Sequence, residues 1–282
     1  MGCMNRPIAP CQARAGAGAL LLFFSAIVAA APAAPSELAA LYRSRVDRVL
    51  EVPADEARLY QRLADGALMS AQAEVSHAQY LLVVDRDPWV QAALLFWRSG
   101  GGEYRFIGAS PVSTGRPGEF DHFETPTGVF DHLPSNPDFR AEGTFNSNGI
   151  RGYGEKDMRV YDFGWQLATK GWGDGAPMEM RLQMHATDPD LLERRLGSAQ
   201  SKGCVRIPAT LNTLLDRYGI LDAEYERLAV GGRTLWVLKE DRETVSDPGR
   251  YLVIVDSRRS ARPEWSPAPY IPRVRRPSPK SR

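Results

Sequence analysis

Met178-Glu179-Met180-Arg181-Leu182-Gln183-Met184-His185 alternates apolar and polar side chains at every step. Alternation with a period of two means an extended strand with one face on a core and one face off it. Met178, Met180, Leu182 and Met184 take the core side, and His185 stands with Glu179, Arg181 and Gln183 on the other. Nineteen residues beyond His185 lies Cys204, the only cysteine after residue 11, within Ser201-Lys202-Gly203-Cys204-Val205-Arg206. A thiol with an ordinary pKa of about 8.5 is mostly protonated at neutral pH, and an imidazole can take its proton. Gly203 allows a tight turn and close backbone approach, so the N–H groups of Gly203 and Cys204 are candidates to hold a developing oxyanion. Arg206 falls on the same strand face as Cys204, where it can bind a substrate carboxylate or favour the thiolate.

Outward from this pair the pattern is β-rich from about residue 79 to 239. Tyr80-Leu81-Leu82-Val83-Val84 reads as a buried strand, and 90–97 as another. The Ser99-Gly100-Gly101-Gly102 turn leads into 104–108 as a hairpin does. Thr234-Leu235-Trp236-Val237-Leu238 reads as the last strand of the domain. Two helices interrupt: one capped by Asp188 and ended by Gly197, one opened by Pro208 and stopped at Gly219. Between 131 and 176 lies a long stretch rich in Gly, Asn and aromatics, with Tyr153, Tyr161, Phe163, Trp165 and Trp172; it reads equally as a substrate lid or a decorated hairpin. Upstream, 36–77 carries helical periodicity in Leu38, Leu41, Val46, Val49 and Leu50 and again in Leu59, Leu63, Leu68 and Met69.

The two ends differ from the body. Arg6 and Arg14 are the only charges before Glu37, an apolar run covers 20–28, and small residues follow at 29–31 and 33–34. That order matches a secretory signal; the alternative is an uncleaved anchor, for which the run is short. Cleavage would remove Cys3 and Cys11 and leave Cys204 the sole cysteine of an exported chain, unable to form an internal disulfide. A buried, inert cysteine is the structural alternative. The last 26 residues hold eight Lys or Arg and one acid, Glu264, and are broken by prolines, which predicts a disordered or extended basic tail. Without these ends, 32–256 holds 25 basic and 33 acidic residues. An acidic body with a basic tail gives no sign of nucleic-acid binding; the tail reads as solvated, with contact to an anionic wall or membrane surface as the alternative. Four histidines and one mature cysteine show no metal-ligand spacing, and no glycine loop for phosphates is present, so no metal or cofactor is expected. His77 precedes the domain, and His122 and His132 read as solvated loop histidines, with a place lining the cleft as the alternative.

With these residues in place, the Cys204 segment resembles the signature of the L,D-transpeptidase catalytic domain, the YkuD-type family of exported bacterial peptidoglycan enzymes. Pro111-Val112-Ser113-Thr114-Gly115-Arg116-Pro117-Gly118 and Glu124-Thr125-Pro126-Thr127-Gly128-Val129-Phe130 are similar to a second hallmark of that family. The resemblance spans about 79–239. It implies an α+β fold, mainly β with short helices, built as a β-sandwich or barrel-like sheet. It divides the chain into a signal at 1–34, a helical extension at 35–78, the catalytic domain at 79–239 and an extension with tail at 240–282. It implies Cys204 as nucleophile, His185 as general base and acid, Gly203 at the oxyanion hole, Ser201 near the site and Arg206 on the substrate. The implied activity is acyl transfer in peptidoglycan biosynthesis in the periplasm or cell envelope. A tetrapeptide stem would be the donor, and a second stem or a lipoprotein lysine the amine acceptor; water in its place gives a carboxypeptidase or hydrolase. Two departures stand out: Ala186 follows His185 where the family commonly has glycine, and the 131–176 segment is long. A sortase also uses Cys, His and Arg but lacks the upstream hallmark, and a non-catalytic wall-binding module would leave Cys204 and His185 dispensable.

Overall fold

A computed structural model of the chain describes residues 34–270, together with Gly2. The expected signal and the last twelve residues of the tail lie outside the described residues. The fold is mixed α+β, dominated by two open sheets with four short helices, and neither sheet closes into a barrel.

Helix α1 (Pro35–Arg45) begins on proline with Glu37 in its first turn and ends with Arg43 and Arg45, each charge matched to the helix dipole. Helix α2 (Ala54–Ser70) buries Ala57, Tyr60, Ala64 and Leu68, spaced three and four apart along one face. The first sheet contains β1 (Gln79–Asp85), β2 (Ala92–Arg98), β3 (Tyr104–Pro111), β4 (Gly128–Asp131) and β9 (Tyr251–Val255), in the order β3-β2-β1-β9-β4. The β2–β3 hairpin forms around the glycine turn as its sequence predicts. Helix α2 covers one face of this sheet, over Leu81, Val83, Leu94, Phe96 and Val253. The opposite face, with Leu82, Val84, Leu95 and Ile254, shares a core with α1 and the second sheet.

The second sheet contains β5 (Phe139–Arg140), β6 (Arg159–Thr169), β7 (Pro177–Ala186) and β8 (Val205–Ile207), in that order. Met180, Leu182 and Met184 of β7 and Val205 and Ile207 of β8 enter the shared core, as the alternation requires. Helix α3 (Ala209–Arg217), opened at Pro208, adds Leu211, Leu214 and Leu215, and α4 (Ala223–Val230) follows.

Several expectations are corrected. Residues 234–238 form a turn, not a strand: Trp236 is 68% exposed and only Val237 is buried, so there is no face to pack. The last strand is β9, lodged between β1 and β4 with all five residues buried. A boundary at 239 therefore cuts through the fold, because a strand placed mid-sheet cannot belong to an appendage. The 35–78 helices are likewise part of the core rather than an extension from it. The 131–176 stretch contains β6, an 11-residue strand masked in sequence by the bulge between Asp162 and Trp165. Asp188 caps as expected, accepting from the N–H groups of Asp190 and Leu191, but the turn it starts tightens to a 3-10 helix at Glu193–Arg195. The tail from 257 to 270 is ordered against the body: Trp265 meets Tyr60 edge-on, and the Ser266 hydroxyl donates to Trp89 O at 2.8 Å.

Candidate functional site

Cys204 sits one residue before β8, and β8 runs parallel to β7 with His185 opposite Arg206. Paired residues of neighbouring strands project to one face, so Gln183, His185, Cys204 and Arg206 share the face turned from the core. The Gln183 backbone acts on the Cys204 sulfur in the direction that lowers its pKa. The thiol is partly exposed.

The cysteine turn is built against the upstream hallmark. The Ser201 N–H donates to Thr114 O at 3.0 Å, the Arg116 N–H to Ser201 O at 3.0 Å, and the Arg206 N–H to Ser113 O at 2.9 Å. The Thr125 hydroxyl donates to Gly203 O at 2.7 Å and accepts from the Gly115 N–H at 2.7 Å. Two motifs separated by some eighty residues are thus one hydrogen-bonded structure. Gly203 has φ +135°, and a Cβ there would stand 2.7 Å from Met180 Sδ, so glycine is required.

Ser201 is fully buried, donating to Cys204 O at 2.6 Å and accepting from the Gly203 N–H at 3.0 Å. Ser201 is a brace of the turn, its hydroxyl engaged by the backbone on both sides. The same bond corrects the reading of Gly203: its N–H is taken by Ser201 and is not open to an oxyanion. Arg206 donates to Gln200 O at 3.3 Å and has no carboxylate partner among the described residues.

His185 is 4% exposed, so the open polar face read from sequence is corrected: it is roofed by Tyr153, whose ring meets the imidazole edge-on at 4.7 Å. Nδ1–H donates to Ala186 O at 2.7 Å, which leaves the Nε2 lone pair for a proton. Burial, with the nearby Arg206 charge, lowers its pKa to about 4. Burial raises the Cys204 thiol, opposed by the Gln183 backbone and Arg206. Both shifts favour the neutral thiol and neutral imidazole at rest, not a standing thiolate–imidazolium pair.

Around them lies a support that sequence reasoning missed. Asp162, at the β6 bulge, accepts from Arg181 Nε at 2.9 Å and Gln183 Nε2 at 2.9 Å. The Tyr153 hydroxyl donates to Gln183 Oε1 at 3.3 Å. Gly154, at φ +87°, lets the loop press against β7; a Cβ would be 2.8 Å from Ala186 Cβ. The position of Gln183 on the polar face of β7 was readable; the bulge that brings Asp162 to it was not. Beyond Tyr153 opens a groove of about 550 Å³ along 139–154.

The other histidines lie apart from the thiol. His122 is half-buried, near Glu119 at 3.4 Å. His132 is fully buried, not solvated: Nε2 donates to Asp138 at 2.9 Å and Nδ1 to Leu221 O at 2.8 Å. Among the described residues no cluster of three or more His, Cys, Asp or Glu is arranged to hold a metal ion. No family model matches the chain, and none of the curated proteins matches it.

Proposed function

We propose that this chain is an exported cysteine acyltransferase acting on peptidoglycan, an L,D-transpeptidase of the YkuD type. One observation carries the reading: Cys204 directly precedes β8, whose Arg206 pairs with His185 on the parallel strand β7, and the second hallmark segment is hydrogen-bonded to the cysteine turn. Two open sheets sharing one core suit the sandwich expected of that family.

His185 Nε2 takes the thiol proton as the sulfur attacks the carbonyl of the third residue of a tetrapeptide stem. The neutral resting pair means that this transfer accompanies attack. The protonated imidazole then gives its proton to the departing D-alanine amine, leaving a thioester on Cys204. Arg206, without an acidic partner, holds a substrate carboxylate. An N–H other than that of Gly203 receives the oxyanion. A second stem or a lipoprotein lysine takes the acyl group as an amide, and water in its place yields a tripeptide. The signal-like start supports a periplasmic or envelope location, and the basic tail suits an anionic wall or membrane surface.

The test is incubation of the protein with purified tetrapeptide muropeptides and mass analysis of the products. Cross-linked dimers support transfer; tripeptide alone makes the enzyme a hydrolase. No turnover, with Cys204→Ala indistinguishable from wild type, removes the enzymatic reading and leaves a wall-binding module.

A further inference from the structure

Trp165 and Leu167 are large apolar side chains that the acyl-transfer chemistry leaves unused. Both point outward from β6, 62% and 68% exposed, while Ala168 turns into the core. An adjacent apolar pair held open on a strand face calls for a contact from outside the chain. Trp165 lies opposite Arg181 and Leu167 opposite Glu179, and β7 continues through Gln183 to His185 on the same face. The pair is set in a fixed frame. Arg181 lies over the indole at 5.8 Å and is itself held by both Asp162 oxygens at 3.0 and 2.9 Å. Glu179 is exposed and has no ion-pair partner among the described residues. An open indole edged by a fixed guanidinium and a free carboxylate fits a pyranose ring. The C–H face of the sugar stacks on the indole, and its hydroxyl and acetamido groups meet the polar edge. Two side chains are too few for a protein partner, whose stable interface needs roughly 800 Å² on each side.

We infer that Trp165, Leu167, Arg181 and Glu179 form a saccharide subsite for the N-acetylhexosamine chain that carries the stem peptide. The inference rests on the acyl-transfer reading and extends its substrate from the peptide to the glycan. Length and direction both support it. Cys204 directly precedes β8, beside Gln183 of β7. Trp165 stands two strand spacings across and two residues along from it, about 12 Å over the sheet face. Three extended residues, from the attacked carbonyl back to the sugar, span about 10 Å. Arg206 lies on the other side of the thiol, opposite His185. The donor thus lies with the carboxylate of its leaving residue at Arg206 and its sugar at Trp165.

The experiment uses the full chain and two donors with the same tetrapeptide. One carries the N-acetylglucosamine–N-acetylmuramic acid disaccharide, the other only an N-terminal acetyl group. The readout is the ratio of their kcat/KM values for acylation of Cys204, measured by intact-protein mass spectrometry. The wild-type chain is expected to favour the disaccharide donor about tenfold, the scale of one stacked aromatic contact. Trp165→Ala is expected to bring the ratio close to one, and Trp165→Phe, which keeps a stacking ring, to retain most of it. A wild-type ratio near one, or an unchanged ratio in Trp165→Ala, overturns the subsite while acylation persists. A wild-type dimer that Trp165→Ala dissociates overturns it as well, because the face is then an interface between copies of this chain. Acylation by neither donor overturns the acyl-transfer reading, and chitotetraose binding to the same chain, read by saturation-transfer NMR, then decides the subsite separately. Binding that is lost in Trp165→Ala upholds a saccharide site, and absence of binding removes it.

Discussion

His132 and His185 are both buried, and their surroundings send them in opposite directions. Burial disfavours the charged imidazolium at each site. At His132 the Asp138 carboxylate outweighs it, and the net effect raises the pKa. Both ring nitrogens face acceptors there, so the imidazolium is the form the site fits. At His185 no carboxylate among the described residues acts on the ring; the charged neighbour is Arg206, which adds to the effect of burial. One histidine lies in a network with Arg159, Asp138 and Asp222 that raises its pKa, the other is a ring whose lowered pKa leaves Nε2 with an open lone pair. The difference separates a group that holds the fold from a group able to move a proton.

The comparison breaks most visibly at activity. His185→Ala should lower turnover of a tetrapeptide donor by roughly 10²–10⁴-fold while the chain still unfolds cooperatively in urea. Turnover near wild type would show that another group is the base. Asp138→Asn should do the reverse, leaving His132 and Arg159 short of a carboxylate and costing about 3–5 kcal/mol in urea unfolding. A loss below about 1 kcal/mol would mean that the network is not an energetic anchor.

The pH dependence of stability sharpens the contrast. The folded pKa of His185 is about 4 against an ordinary 6.5, so the unfolded chain binds the proton more readily between these values. Stability should therefore fall as pH drops from 6.5 to 4, by at most about 3 kcal/mol from this group. His185→Gln should flatten that slope. His132, raised, contributes stability that is fully present below 6.5 and lost as pH rises through its folded pKa, so His132→Gln should leave the acid slope in place. Urea titrations at stepped pH separate the two. The smallest expected effect is removal of residues 271–282, which should leave turnover of soluble muropeptides unchanged; a large loss would tie the tail to the chemistry.

Strand β7 was legible because alternation of Met and polar residues reports which face meets the core, although Met178 at its exposed start does not reach it. The cysteine turn was legible because Ser201, Gly203 and Cys204 lie together in sequence. What failed depended on distant partners. Nothing local to Tyr251-Leu252-Val253-Ile254-Val255 announces that it lies between β1 and β4. His132 looked solvated because Leu221 and Asp222, some ninety residues away in sequence, close around its Nδ1. The oxyanion role of Gly203 followed from glycine chemistry alone, and only the fold reveals that Ser201 occupies its N–H. The bulge at Asp162 broke the period of β6, hiding both the strand and the support it gives Gln183.

The central claim is that a neutral Cys204–His185 pair forms an acyl-enzyme. Its most direct test is the rate of Cys204 acylation by a tetrapeptide donor, read by acid quenching and intact-protein mass spectrometry from pH 3.5 to 8. An adduct on Cys204 equal to the donor less its terminal D-alanine is expected. Its formation should be lost as pH falls through about 4, where His185 gains its proton. An adduct that never appears, or one whose rate is indifferent to His185→Ala across that range, would contradict it.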